Sequence, residues 1–121
     1  MDRTIIAIID DLFFASKIRG TAEQVGVRVV FAKSIVQAIE KARDAAPALI
    51  IADLNVASCN AIALARALKA DDNLKAIPLL GFFSHVQTEL QQAAIAAGFD
   101  RVLPRSAITK TLPEILGKGL G

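Results

Sequence analysis

"ALIIADLN", at residues 48–55, is the stretch from which the fold can be inferred. Five apolar residues follow Pro47, and the run stops at Asp53. A run this short and this uniformly apolar is typical of a strand that is buried on both faces of a sheet. Asp53 would then lie at the carboxyl end of that strand, which is the edge where open α/β sheets bind their ligands.

Other apolar runs alternate with segments of helical length. The predicted strands are Thr4–Ile9, Val27–Phe31, Ala48–Ala52, Pro78–Phe83 and Arg101–Leu103. Strands that are joined by helices run parallel with right-handed crossovers, so helices cover both faces of the sheet. The pattern therefore predicts a single α/β domain over residues 1–121, a doubly wound (βα)5 sandwich.

Two of the predicted helices have recognisable ends. Ser34 begins one of them with a capping-box pattern, and Pro47 ends it. Gly98 closes another in the position of a helix-terminating glycine. Gly20 and Pro113 conflict with their helices, and Pro113 predicts a last helix that is short, kinked or restarted.

Composition and charge argue against several classes of function. The chain has 14 Lys and Arg against 12 Asp and Glu, with no basic run, so nucleic-acid binding has no support. No apolar stretch reaches the roughly 20 residues of a membrane span, and no signal peptide is evident, so we expect a cytoplasmic protein with no membrane partner. Cys59, the single cysteine, is expected to be structural. His85, the only histidine, is expected to be a solvated loop residue rather than a base.

Three carboxylates follow two of the predicted strands. Asp10 and Asp11 end the first strand as Asp53 ends the third, and these strands are commonly neighbours at the switch point of a doubly wound sheet. Like charges at close range raise each other's pKa unless a cation intervenes, and Mg²⁺ prefers carboxylate oxygens. The pattern predicts a divalent-cation site. The alternative is that Asp11 caps the first helix and Asp53 lies in a solvated loop.

Four stretches of the chain resemble the receiver domain of bacterial two-component response regulators. They are IIAIIDD, ALIIADLN, IPLLGFF and GFDRVLPRS, and the resemblance covers nearly the whole chain. It implies a flavodoxin-like parallel sheet of strand order 2-1-3-4-5 and a signalling domain rather than an enzyme. It also implies that Asp53 is the phosphoacceptor, that Asp10 and Asp11 help to hold Mg²⁺, and that the Asn55 backbone carbonyl is a further ligand. The implied partners are a sensor histidine kinase or phosphotransfer protein and a downstream protein.

The chain departs from that family in the half of the site that reads the phosphate. Arg105 stands where the family has a lysine, and Phe83 stands where it has a Ser or Thr. Ser84 could supply the hydroxyl only if a bulge or the strand end redirects its side chain. The other departures are Val102 for the switch aromatic, Ser106 for the proline after the basic residue and Ala57 for a proline in the loop after Asp53.

Two functions are therefore open from the sequence. One is an atypical receiver that accepts a phosphoryl group on Asp53 with Mg²⁺ and signals through its fourth helix, fifth strand and fifth helix. The other is a phosphate-independent interaction module that retains the acids without using them. A small enzyme or flavin binder is a weaker third possibility, because no catalytic set is evident. No pattern in the sequence indicates an oligomeric state.

Overall fold

The computed structural model describes residues 3–56, 59–84 and 87–119, in which five strands alternate with five helices. The strands are β1 (Arg3–Ile8), β2 (Val27–Phe31), β3 (Leu49–Asp53), β4 (Leu79–Phe83) and β5 (Arg101–Pro104). The helices are α1 (Leu12–Val25), α2 (Ile35–Ala45), α3 (Ala61–Lys69), α4 (Thr88–Ala97) and α5 (Arg105–Lys118). Within these residues, none of the helices combines the length and the apolar character that crossing a membrane requires.

The strands form one parallel sheet in the order β2-β1-β3-β4-β5, which confirms the order implied by the resemblance. Strand β3 is central, and all of its residues are buried, as its apolar run predicts. Ala52 of β3 pairs with Ile8 of β1, and Asp53 pairs with Phe82 of β4. The carboxyl ends of β1 and β3 therefore lie side by side, as expected.

Predicted and observed strand boundaries differ by no more than one residue. The difference matters at Asp53, which is the last residue of β3 rather than the first residue after it. The ladder continues past Asp53 because the Leu54 N–H donates to the Phe82 carbonyl at 2.9 Å. Asp53 is thereby held by the sheet itself.

Each face of the sheet has its own apolar core. Ile6 and Ile50 face the core under α2, α3 and α4, whereas Ile5 and Leu49 face the core under α1 and α5. Neighbouring residues belong to opposite cores because side chains alternate along a strand. Full burial of one such side chain contributes about 1.5–3 kcal/mol, so the two cores together hold the helices on the sheet.

The predicted helix ends at Ser34 and Gly98 are confirmed. Ser34 Oγ accepts a hydrogen bond from the Gln37 N–H at 3.1 Å, and Gln37 Oε1 accepts one from the Lys33 N–H at 3.0 Å. Gly98 has a φ of 122°, and a Cβ built there would lie 2.6 Å from Cγ of Lys69. Both the conformation and the contact favour glycine at this position.

Pro113 lies inside α5, so the prediction of a short or restarted last helix was wrong. An internal proline costs a helix about 3 kcal/mol or more. Leu112, Ile115 and Leu116 are buried on the same helix, and their burial against the sheet outweighs that cost. Gly20 is exposed within α1, and nothing in the structure explains its presence there.

Candidate functional site

Asp53 is the one charged side chain that is buried within the described part of the chain, and 8% of its surface is exposed. Its Oδ1 accepts a hydrogen bond from the Asn55 N–H at 2.8 Å. Burial is the main cause that raises the pKa of Asp53 above its ordinary value, and the negative charges of Asp10 and Asp11 raise it further. The hydrogen bond from Asn55 and the positive charge of Arg105 lower the pKa, but each by less than burial raises it. The alternative that Asp53 lies in a solvated loop is therefore wrong.

Asp11 begins α1 as its N-cap, which confirms that part of the alternative. Its Oδ1 accepts hydrogen bonds from the N–H groups of Phe13 and Phe14 at 2.8 and 3.2 Å, and its Oδ2 accepts one from Arg105 Nη2 at 2.5 Å. The Arg105 hydrogen bond is the largest cause that lowers the pKa of Asp11, and the Phe14 N–H adds to it. Asp11 is thus both a helix cap and an ion-pair partner.

Arg105 is the first residue of α5, and its side chain reaches the start of α1. Its guanidinium carbon lies 4.3 Å from the centre of the Phe14 ring. The Phe14 ring packs edge-on against Phe82, with 5.1 Å between ring centres. Arg105, Phe14 and Phe82 therefore form a stack that connects the acidic edge of the sheet to the core under α1 and α5.

The stack was not predicted from the sequence. The signal available in the sequence was two pairs of adjacent phenylalanines. Phe13–Phe14 follows the acids after the first predicted strand, and Phe82–Phe83 ends the fourth. One member of each pair is buried, since Phe14 is 4% and Phe82 0% exposed, whereas Phe13 is 91% exposed. Alternation along a strand or helix indicates that one member turns inward, but not which partner it meets.

The residue types at this edge suit a hard divalent cation. Asp10, Asp11 and Asp53 carry carboxylate oxygens, and Asn55 follows with a backbone carbonyl. Among the residues that the structure describes, however, no three His, Cys, Asp or Glu side chains are arranged to hold a metal ion. The chemistry of the donor set fits the cation, but the Asp11 carboxylate is already engaged by Arg105.

Asn55 connects the end of β3 with the loop that leads into α4. Its Nδ2 donates to Gln87 Oε1 at 3.1 Å, and its Oδ1 accepts from the Ser84 N–H at 3.2 Å. Gln87 is the N-cap residue of α4, and its side chain makes no capping bond to that helix. The Asn55 backbone N–H binds Asp53, so a single residue touches both the buried acid and the approach to α4.

Phe83, Ser84 and Val102, the residues at the expected switch positions, lie on β4 and β5 or directly after β4. Phe83 is the last residue of β4, half-buried and paired with Pro104 of β5. Ser84 follows the strand and is exposed. Val102 pairs with Gly81 and packs against the core under α2, α3 and α4. These two positions thus carry an aromatic and an aliphatic side chain, where the receiver family that the sequence resembles has a hydroxyl and an aromatic.

The remaining predicted residues are Cys59, Ser106, Ala57 and His85. Cys59 is buried in the core under α2, α3 and α4, as expected of a structural cysteine, and burial is the main cause that raises the pKa of its thiol. Ser106 is the second residue of α5 and is exposed. Ala57 and His85 lie outside the residues that the structure describes.

Comparison with known proteins identifies the fold. No protein-family model matches the chain, and neither does any curated protein. Chemotaxis protein CheY4 of Vibrio cholerae, in crystals grown at low pH, is similar with a TM-score of 0.84 and 22% identity, over 99% of this chain and 100% of that one. The phosphorylated cyanobacterial phytochrome response regulator RcpA has a TM-score of 0.79 and 20% identity, over 97% and 90%. The Mn²⁺-bound response regulator Rcp1 has a TM-score of 0.77 and 14% identity, over 93% and 91%. The chain therefore has the flavodoxin-like fold that response regulators share.

Proposed function

We propose that this chain is an atypical receiver domain of a two-component system, a cytoplasmic signalling domain rather than an enzyme. In this proposal it accepts a phosphoryl group on Asp53 from a sensor histidine kinase or a phosphotransfer protein. One observation carries the proposal: a single buried carboxyl group ends the central strand, with two further acids and an arginine close enough to influence its pKa. The fold similarity to response regulators supports it.

The proposed reaction is an in-line phosphoryl transfer. A carboxylate oxygen of Asp53 forms a bond to phosphorus as the bond from phosphorus to the donor breaks; with acetyl phosphate as donor, acetate leaves with the bonding electrons. The Asn55 N–H orients the carboxyl group of Asp53, and the sheet holds its backbone. The protein supplies mainly position and charge, which is what this kind of transfer requires.

We propose Mg²⁺ as the cofactor of this transfer. The carboxylates of Asp10, Asp11 and Asp53 and the carbonyl of Asn55 would hold it, and bound there it would neutralise charge on the transferring oxygens. That the similar response regulator Rcp1 has been seen with Mn²⁺ supports the binding of a divalent cation. Arg105 supplies a further positive charge beside the acids.

The output surface in this proposal is formed by α4, β5 and α5, and a downstream protein binds to it. The hydroxyl and aromatic that usually read the phosphate are replaced by Phe83 and Val102. Asn55 offers another contact, because it touches Asp53 through its backbone and Ser84 and Gln87 through its side chain. Phosphorylation adds roughly −1.5 to −2 charge beside Asn55, enough to change these hydrogen bonds.

A phosphate-independent interaction module is the second candidate. The observation that favours it is the ion pair between Arg105 and Asp11, which already neutralises one of the acids without a metal ion. A domain of this kind would keep the same surface and bind its partner equally well with Asp53 unmodified.

Intact-mass measurement tests the two candidates. The chain is incubated with acetyl phosphate, with and without Mg²⁺, beside an Asp53→Asn control. A Mg²⁺-dependent gain of one phosphoryl group that the control lacks is the expected result. If the wild-type chain gains no mass under any of these conditions, the acceptor proposal is overturned and the interaction module remains.

A further inference from the structure

Arg105 places one of the chain's own positive charges at the acidic edge. We propose that its guanidinium is a built-in counter-cation, that Asp11 accepts a divalent cation only by giving up Arg105, and that Phe14 is the positioning residue that holds Arg105 there. This inference rests on the proposed function in one respect, namely that the acidic edge is the cation site. It adds a competitor for that site.

Both carboxylate oxygens of Asp11 accept hydrogen bonds from the protein. The bonds to Oδ1 come from the N–H groups of Phe13 and Phe14 and belong to the cap of α1. They persist for as long as α1 begins at this point of the chain. The bond to Oδ2 comes from Arg105, whose side chain can rotate away. Exchange of a partner by Asp11 therefore takes place at Oδ2.

Phe14 holds the other side of the guanidinium. Arg105 Cζ lies 4.3 Å from the centre of the ring, within the distance at which a cation is attracted to an aromatic face. The ring has little freedom to move, since Phe14 is 4% exposed and packs against Phe82. Arg105 therefore leaves Asp11 only by losing a stacking contact together with a charge-assisted hydrogen bond.

The exchange requires no opening of the core. The side chains of Arg105 and Asp11 are 30% and 34% exposed, so solvent and ions reach the pair directly. Arg105 and a dissolved cation consequently compete for Asp11 at equilibrium. The apparent affinity of the site for a divalent cation is then its intrinsic affinity multiplied by the fraction of molecules in which Arg105 has left Oδ2.

Arginine is suited to this role in a way that lysine is not. A planar guanidinium stacks on a ring and donates a hydrogen bond at the same time, whereas an ammonium is a compact, strongly hydrated charge. Arg105→Lys therefore keeps the net charge and weakens the anchoring. Phe14→Leu likewise keeps the charge and a buried apolar side chain while it removes the aromatic face.

Titration of the unphosphorylated chain with MnCl₂ tests the proposal. Isothermal titration calorimetry is the method of choice, because the chain has no Trp and no Tyr to report binding by fluorescence. The variants are Arg105→Gln, Arg105→Lys and Phe14→Leu. Lys110→Gln is the matched control, because it removes one positive charge from an exposed position of the same helix. Melting temperatures establish that each variant is folded.

The proposal predicts a graded result. Arg105→Gln binds Mn²⁺ at least about tenfold more tightly than the wild type, as expected when a charge-assisted hydrogen bond no longer competes. Phe14→Leu and Arg105→Lys bind it about two- to fivefold more tightly at unchanged net charge, the size of an exposed cation–π contact. Lys110→Gln changes the affinity by less than about twofold, because its charge is screened.

Two results would overturn the proposal. In one, Phe14→Leu has the Mn²⁺ affinity of the wild type, and Arg105→Gln has the same affinity as Lys110→Gln. Arg105 would then affect Mn²⁺ binding only through its net charge, as any lysine or arginine of the helix would. In the other, no variant binds Mn²⁺, Arg105→Gln included. The proposed function is judged separately, by whether the wild-type chain gains mass with acetyl phosphate, so failure of the competition and failure of the acceptor are distinguishable.

Discussion

The carboxyl group of Asp53 is less acidic than an ordinary aspartate because it is buried at the end of β3. A carboxyl group whose pKa is raised in the folded state binds its proton more tightly there than in the unfolded chain. Its ionised form therefore lowers the stability of the fold as the pH rises from the ordinary pKa through the raised one. The burial cost of the ionised carboxylate is therefore larger at neutral pH than at acidic pH.

Asp53→Asn should accordingly raise the melting temperature at pH 7. The amide is uncharged, and its oxygen can still accept the hydrogen bond from the Asn55 N–H. The advantage should shrink below about pH 4, where aspartate becomes protonated in the unfolded chain as well. Circular dichroism melts of both proteins between acidic and neutral pH measure this difference. A variant that melts lower than the wild type at pH 7 would contradict the account.

Asp11 and Arg105 show how much a residue's role depends on its neighbours. The pKa of Asp11 is lowered, so its ion pair stabilises the fold above the ordinary pKa of aspartate and is lost as the pH falls through the lowered value. This dependence on pH has the opposite sign to that of Asp53. The pKa values of two acids at one sheet edge are therefore shifted in opposite directions, that of Asp53 upward by burial and that of Asp11 downward by the guanidinium of Arg105.

At the scale of the elements, local hydrogen bonding determines where a helix begins, and the burial of its apolar side chains determines whether it can contain a residue that disfavours helix. Ser34 caps α2 because its Oγ reaches an N–H of the first turn, a contact that needs no other part of the chain. Pro113 is tolerated in α5 because the neighbouring apolar residues are buried. Local rules thus determine where a helix begins, whereas tertiary burial determines whether it tolerates a breaker.

Two glycine-to-alanine substitutions at helices should have opposite effects on stability. Gly20 has helical backbone in α1 and nothing within 4 Å of an added Cβ, so Gly20→Ala should raise the free energy of unfolding by about 0.5–1 kcal/mol. Gly98→Ala should lower it by about 1 kcal/mol or more, because φ is positive and the Cβ would meet Lys69. Urea denaturation measures both values. Equal effects of the two substitutions would contradict the assigned backbone conformations.

At the scale of the whole molecule, parallel strands bring distant residues to one edge. Strands β1 and β3 end side by side, and β4 and β5 continue the same edge towards α4 and α5. The acids, Arg105 and Asn55 are therefore neighbours although they come from different loops. Asn55 lies at this edge and its side chain contacts Ser84 and Gln87, the N-cap residue of α4.

Asn55→Ala should uncouple the acceptor from α4. In the wild-type chain, we expect phosphorylation of Asp53 to change the amide hydrogen exchange of Ser84, because the Ser84 N–H is bonded to Asn55 Oδ1. The variant should show faster Ser84 exchange before phosphorylation, by about fivefold for the loss of a hydrogen bond worth about 1 kcal/mol, and little further change afterwards. Exchange measured by NMR with acetyl phosphate present checks both expectations.

Phe83→Thr serves as the companion variant in that experiment. It introduces a hydroxyl at the last position of β4 and leaves Asn55 unchanged. If the phosphorylated wild type leaves Ser84 exchange unchanged while Phe83→Thr alters it, the Asn55 route is not used and a hydroxyl is required.

Much of the fold could be predicted because it rests on short-range patterns. Apolar runs of strand length predicted the strand boundaries to within one residue. A capping serine and a terminating glycine predicted two helix ends, and the resemblance added the order of the strands. Part of the candidate site could be placed as well, since acids that end neighbouring parallel strands must share an edge. The prediction failed at Pro113, where burial of side chains outweighed a local preference.

The sequence by itself therefore determined the alternation of strands and helices, the buried central strand and the sheet edge that Asp10, Asp11 and Asp53 share. Only the tertiary structure decided that Asp11 pairs with Arg105, 94 residues further along the chain, and that Phe14 lies beneath the guanidinium. The physical reason is range. Periodicity and capping act over a few neighbouring residues, whereas an ion pair between α1 and α5 depends on how two helices pack against the same face of the sheet.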